Sequence, residues 1–366
     1  MISFLDLKKI NKPYEAAFQQ KLKSVLENGW YILGKELETF EKAFAEYCQS
    51  KYCIGVGNGF DALVLIFKGY IQLGKLKKGD EVIVPANTYI ASILAILQAD
   101  LIPVLVEPKL ETYNIDPDLI QEKITSKTKA ILAVHLYGQL AEMQKINEIV
   151  EKHNLIVVED AAQSHGAISN QQLRINNLSS ASAYSFYPGK NLGCLGDGGA
   201  ITTNDSQLAK VLFSLRNYGS EKKYHNEYVG VNSRLDELQA GFLNLKLPNL
   251  DADNEKRRAI AKRYLAEIKN DKIVLPFWDF STNHVFHLFV IRTKNRKDLQ
   301  EYLTQNNIQT VIHYPIPPHQ QKAFLEWNNL SFPLTEKIHK EVLSLPISPV
   351  LTQSEVDFII KILNQY

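Results

Sequence analysis

Cysteine is scarce in this chain of 366 residues: Cys48, Cys53 and Cys194 are all it has. An odd number with no Cys-x-x-Cys spacing supports neither a disulfide framework nor a zinc site, and a reducing cytoplasm is the simplest expectation. An excess of one charge is missing too. Lys and Arg number 41 against 40 for Asp and Glu, a net charge of +1. That lacks the basic excess of a general nucleic-acid binder but leaves room for local phosphate patches. No run approaches the roughly 18 apolar residues that span a bilayer. Met1-Ile2-Ser3-Phe4-Leu5-Asp6-Leu7-Lys8-Lys9 has no basic segment leading into an apolar stretch, so no secretory signal is expected. The chain is expected to be soluble, with no membrane partner. Internal repeats and low-complexity tracts are absent as well.

What is present is core material. Hydrophobic residues make up 45% of the chain, enough for a sizeable core and too many for disorder. The length allows two domains, or one large and one small. Residues 14–28 and 36–48 read as amphipathic helices on either side of Gly29-Trp30-Tyr31-Ile32-Leu33-Gly34. From about 52 to 215, strand candidates at 53–56, 81–85, 102–106, 130–134, 155–158, 181–186 and 199–203 alternate with mostly helical stretches. This predicts an α/β fold with a mainly parallel sheet covered by helices. The last two candidates lie close enough to form a hairpin around the loop between them. Pro248 and the charged run 251–258 mark the change to a smaller α+β domain, so the expected division is 1–250 and 251–366. There the pattern predicts a helix over 257–270, a strand over 286–292, a helix over 296–306, a strand over 310–314 and a closing helix over 353–366.

The loop after residue 185 carries the chemistry. It reads Ser185-Phe186-Tyr187-Pro188-Gly189-Lys190-Asn191, and the strand upstream ends in Glu159-Asp160-Ala161-Ala162-Gln163. Taken singly, a loop lysine is in most proteins a solvated charge, and an Asp after a Val/Ile strand is often a helix N-cap. Together and in this order they fit pyridoxal phosphate chemistry. The lysine amine forms a Schiff base with the cofactor aldehyde, and the carboxylate keeps the pyridine nitrogen protonated. Gly55-Val56-Gly57-Asn58-Gly59-Phe60-Asp61-Ala62-Leu63 follows a short strand and opens a helix, which suits an anion at the helix N-terminus. A tight strand-to-helix turn without ligand is the plainer alternative. The spacing is not Gly-x-Gly-x-x-Gly, and Asp80 and Glu81 stand at the start of a strand, so a single phosphate fits better than a dinucleotide. Ser185 is a natural second donor to that phosphate.

These residues resemble the DegT/StrS family of nucleotide-sugar aminotransferases, within the fold-type-I pyridoxal phosphate enzymes, over nearly the whole chain. Further matches are Pro85-Ala86-Asn87-Thr88-Tyr89, Val134-His135-Leu136-Tyr137-Gly138-Gln139, Gly196-Asp197-Gly198-Gly199, Asn232-Ser233-Arg234-Leu235-Asp236 and His313-Tyr314-Pro315. The resemblance implies Lys190 as Schiff-base lysine and proton carrier, Asp160 at the pyridinium and Gln163 near the ring hydroxyl. Tyr89 stacks on the ring by the same token, although a core tyrosine is the plainer alternative. Gly59, Phe60 and Ser185 cradle the phosphate, with Phe60 offering only its backbone amide. Asn232 reaches the phosphate from a partner subunit, which implies a homodimer with shared sites. Some relatives carry His in place of the lysine and act as dehydratases, so Lys190 sides with the aminotransferases. His165 reads either as support for Asp160 or as a core histidine.

The same resemblance implies L-glutamate as amino donor and a nucleotide-linked keto-sugar as acceptor. The reactive loop is closer to members that aminate C3 of a dTDP-linked 3-keto-6-deoxyhexose than to many that aminate C4. A 4-keto substrate, or a non-catalytic binding or regulatory protein on this fold, are the alternatives. Tyr187, His313 and Tyr314 are candidates for contact with the sugar. Lys222 or Lys223 would neutralise its diphosphate, with a solvated turn as the plainer reading. No metal site is expected.

Overall fold

The computed structural model describes residues 1–169, 180–222 and 224–366. Among these, seven strands join in one sheet: β1 (Tyr52–Val56), β2 (Glu81–Pro85), β3 (Ile102–Val106), β4 (Thr128–Val134), β5 (Ile156–Asp160), β6 (Ala181–Ser185) and β7 (Gly199–Thr203). Their order is β1-β7-β6-β5-β4-β2-β3. Neighbours pair in parallel except β7, which runs against both β6 and β1. The other six strands therefore send their carboxyl ends to one edge, where clefts form in open α/β sheets. Register sets Asp160 level with Val134 on one side and Ala183 on the other. The acid and the root of the lysine loop thus emerge side by side, and the expected β6–β7 hairpin brackets that loop.

The helix Gly59–Gln72 is apolar nearly all round, and Ala62 to Phe67 are all buried in it. Such a helix belongs in a core, and it packs against β6, β7 and the helices Ile90–Gln98 and Ser206–Leu215. Its burial fixes where its N-terminus points. Beneath the lysine loop lies a bed of aromatics. Phe186 meets Phe40 and Phe44 edge-on, each at 5.3 Å between ring centroids, and Phe44 meets Tyr184 at 5.0 Å. Each such ring, buried whole, contributes about 1.5–3 kcal/mol.

Beyond residue 250 the strands Phe289–Arg292 and Val342–Leu345 pair antiparallel, and the helices Leu250–Glu267, Arg296–Gln305 and Gln353–Gln365 pack around them in a core of their own. Three elements differ most from expectation. The long helix starts at Leu250 rather than at residue 257, because the run 251–258 is helical: Asp251 and Asp253 sit in its first turn, where they complement the helix dipole. The strand expected over 286–292 begins at Phe289, since Phe286 has a φ of 44°, outside strand geometry. No strand forms over 310–314. Only Val311 bridges to Ser344, and Pro315, Pro317 and Pro318 follow without the N–H groups a ladder needs.

Candidate active site

A cleft of about 620 Å³ opens along the carboxyl edge of the sheet. Asp160 enters it as the last residue of β5. Its Oδ2 accepts a hydrogen bond from Ser92 Oγ (2.8 Å) and its Oδ1 one from the Ala162 N–H (3.2 Å). Ser92 Oγ is itself 2.9 Å from Thr88 Oγ1. The carboxylate is therefore aimed by a buried hydroxyl pair rather than left to swing.

Lys190 faces the same cleft. Its N–H donates to the Tyr187 carbonyl (2.8 Å), closing a tight turn, and Cys194 N–H returns to the Phe186 carbonyl (2.8 Å). A Cβ on Gly193 would stand 2.4 Å from the Pro188 carbonyl oxygen, so this closure needs glycine. Burial pushes the Lys190 amine down to about 8, with Asp160 opposing the shift. A share of the amine is then unprotonated near neutral pH, as a nucleophile or base requires.

The helix start supplies an anion cradle. Asn58 Oδ1 accepts from the Asp61 N–H (2.8 Å), which leaves the leading N–H groups of Gly59 and Phe60 toward the cleft they line. Asp61, the acid of the first turn, is held by Ser233 Oγ at 2.6 Å. A Cβ on Gly59 would come within 2.6 Å of Ser185 Cβ, so only glycine lets the helix start and the Ser185 hydroxyl share one small space. Lysine, carboxylate and anion cradle together fit pyridoxal phosphate in kind and number.

Most residues expected at the site meet here. Gly59, Phe60, Tyr89, Asp160, Gln163, Ser185, Tyr187, Lys190, His313 and Tyr314 all line the cleft. Gln163 accepts the Tyr137 N–H (2.6 Å) and donates to Tyr314 Oη (3.0 Å). Tyr89 is half-exposed, its ring 5.0 Å from that of Tyr314, so it is no core tyrosine. His165 is fully buried against Tyr184 and Phe186, with ring centroids at 5.6 and 5.8 Å. Burial first, and then the Lys190 charge, push it down to about 3. It lies in the aromatic bed, where the core-histidine reading puts it.

Asn232 and Lys222 do not line this cleft. Asn232 is exposed and bridges to Asn217, while its neighbour Ser233 accepts the Gly57 N–H (3.0 Å). Lys222 is exposed in a short hairpin with His225–Asn226, and Lys223 lies outside the described residues. Sequence reasoning missed Ser92, His287, Phe4 and Leu5, all on the cleft wall. Ser92 had a signal: it stands three residues past Tyr89, one helical turn away. His287, whose Nδ1 is 3.2 Å from Asn191 Oδ1, was hidden in a strand pattern, and Phe4 and Leu5 carry no motif.

A lysine facing a strand-end carboxylate, beside a helix N-terminus on a mainly parallel sheet, defines an α/β aminotransferase-type site. The chain belongs to the DegT/DnrJ/EryC1/StrS aminotransferase family, whose model matches residues 13–364. It is 59% identical, over all of this chain and 99% of the relative, to a dTDP-3-amino-3,6-dideoxy-alpha-D-galactopyranose transaminase of Aneurinibacillus thermoaerophilus. The solved structure of DesV from S. venezuelae, in complex with a ketimine intermediate, is 44% identical and superposes with a TM-score of 0.95, covering 100% of this chain and 98% of that one. NtdA from Bacillus subtilis with bound cofactor PMP is 34% identical, with a TM-score of 0.91 over 100% of this chain and 84% of its own.

Proposed function

We propose that this chain uses pyridoxal 5′-phosphate to move an amino group from L-glutamate to C3 of a dTDP-linked 3-keto-6-deoxyhexose, giving a 3-amino-3,6-dideoxy sugar for surface glycans. The observation that carries it is Lys190 and Asp160 facing one cleft beside the Gly59–Ser185 cradle. The 59% identity to a transaminase named for a dTDP-3-amino-3,6-dideoxy sugar supports the substrate. When bound, pyridoxal phosphate supplies an aldehyde for amine exchange and a ring that takes up the electron pair left by a departing proton. Lys190 Nζ would hold the cofactor through that aldehyde and, when free, would carry a proton to and from the substrate carbon. Asp160, aimed by Ser92, holds the proton on the ring nitrogen. The Gly59 and Phe60 N–H groups and Ser185 Oγ hold the phosphate. Tyr89 would cover the ring, and Gln163, which donates to Tyr314 Oη, would serve the ring hydroxyl.

At the mouth, Tyr187, His313 and Tyr314 meet the sugar. Burial, with the Lys190 charge, pushes His313 down to about 4, so it meets the hexose as a neutral ring. Asn232 and Lys222, which do not line their own cleft, serve the partner's phosphate and the sugar diphosphate, with Lys223 as the alternative to Lys222, in a homodimer of cytoplasmic subunits. Each subunit divides near residue 250 into a large cofactor domain and a small closing one. The test is competition between dTDP-linked 3-keto and 4-keto 6-deoxyhexoses with L-glutamate as donor, with the aminated carbon read by NMR. Amination at C3 is expected. Amination only at C4 would overturn the position, and no amination of either would overturn the substrate class.

A further inference from the structure

The first residues of the chain cross the cleft as a strap tied at both ends. At one end Ile2 pairs with Ile308: its N–H donates to the Asn307 carbonyl (2.7 Å) and its carbonyl accepts the Gln309 N–H (3.0 Å). The Phe4 N–H adds a bond to Gln309 Oε1 (3.3 Å). At the other end Asp6 caps the helix Leu7–Asn11 by accepting the Lys9 N–H (2.9 Å). Lys246, a buried amine, then donates to Asn11 Oδ1 (3.2 Å) and to the Gly193 carbonyl of the lysine loop. Between the ties, Phe4 and Leu5 line the cleft. The Phe4 ring lies 5.7 Å from that of His313. Leu5 Cδ2 lies 3.5 Å from where a Cβ on Gly189, next to Lys190, would stand.

Neither side chain has a polar atom, and both are only half-buried, so a ligand in the cleft completes their burial. Ile347 is apolar, and His313 Nδ1 is occupied by Ser344 Oγ at 2.8 Å. We propose that Phe4 and Leu5 are specificity-determining residues that receive the C6 edge of the hexose and select a methyl there over a hydroxymethyl or a carboxylate. This rests on the keto-sugar reading above. A methyl gains from leaving water against Phe4 and Leu5, whereas a hydroxyl there gives up hydrogen bonds that these two side chains do not replace. One group of that size changes kcat/KM in an apolar pocket by roughly tenfold or more. A carboxylate is refused more strongly, because Phe4 and Leu5 offer its charge no partner.

The experiment compares kcat/KM of the holoenzyme for two dTDP-linked 3-keto-hexoses that differ only at C6, one 6-deoxy and one 6-hydroxy. Wild type is expected to prefer the 6-deoxy sugar by roughly tenfold. Phe4→Ser and Leu5→Ser are expected to bring the ratio to within about twofold, chiefly through KM, and Phe4→Leu to keep most of it. A variant that folds poorly loses both activities in proportion and leaves the ratio alone, so the ratio reports the wall and not the fold. A wild type that aminates both sugars equally, or serine variants that keep its ratio, would overturn the assignment. A wild type that aminates neither would instead overturn the substrate reading on which it rests.

Discussion

Burial disfavours the charge of Lys190, and Asp160 favours it. His165, His287 and His313 are each pushed below their ordinary values by burial first and the Lys190 ammonium second. Burial lowers the lysine itself, and Asp160 is the opposing charge. The consequence for stability has a definite sign in the cofactor-free protein. The folded-state value of Lys190 is about 8, against roughly 10.4 for a lysine in an unfolded chain. Between the two, the unfolded state holds a proton that the native state has released, so stability rises with pH across that window. Below about 8 both states are protonated and the burial of the charge counts fully against the fold. Lys246, also pushed down to about 8 by burial, adds a rise of the same sign. The expected result is that Lys190→Met, which has nothing to titrate, shows a flatter rise than wild type between about pH 7 and pH 10 in equilibrium unfolding. Equal slopes would mean that the apo-lysine amine is solvated rather than buried.

The helix Glu237–Lys246 secures the site from below with both of its ends. Lys246 pins the lysine loop. Glu237, 3% exposed, accepts the N–H groups of Gly34 (2.8 Å), Glu36 (2.9 Å) and Leu37 (3.1 Å), so a carboxylate from 203 residues away caps the helix Lys35–Tyr47. That helix carries Phe40 and Phe44, the rings under Phe186. Glu237→Ala would leave those donors unpaired and is expected to destabilise the fold by about 2–3 kcal/mol, read as a lower denaturant midpoint with an unchanged slope. Glu237→Gln, which can still accept, is expected to lose less. No pattern in the sequence showed this contact, because nothing local links residue 237 to residue 34. The strands were legible for the opposite reason: most are short apolar stretches, such as Glu81–Pro85 and Ile156–Asp160, whose burial is written in their own residues. Errors fell where local chemistry ran against the pattern, at the prolines after His313, at the charged first turn of Leu250–Glu267, and at the backbone of Phe286. The site divides in the same way. Lys190, Asp160 and Gly59 were legible because strand ends and a helix start fix their places, whereas Phe4 and Leu5 reach the cleft from the first residues and His287 from just before the strand Phe289–Arg292.

At the scale of the whole molecule, the expected residues that this cleft does not gather lie near one another in sequence and on the surface. Asn232 and Lys222 are exposed, and so are the large apolar side chains of Tyr218, Tyr224 and Val229 between and beside them. Trp30 and Tyr31 are exposed as well, in the segment whose Tyr31 carbonyl accepts the Glu237 N–H and whose Ile32 bridges to Asp236. So much exposed apolar surface beside Asn232 is the kind of surface that the proposed homodimer would cover. If Asn232 completes the phosphate cradle of a partner, the two functions separate between chains. A Lys190→Ala subunit keeps its Asn232, and an Asn232→Ala subunit keeps its lysine. Mixed dimers then contain one intact site, made of the lysine of one chain and the asparagine of the other, and one doubly damaged site. After random exchange of equal amounts, half of the dimers are mixed, so activity is expected to recover to about a quarter of wild type, well above the mean of the two parents. If Asn232 acts within its own subunit, every site in the mixture stays damaged and activity stays at the parental mean. Subunit exchange, followed with differently tagged chains, makes that second outcome decisive against a shared site.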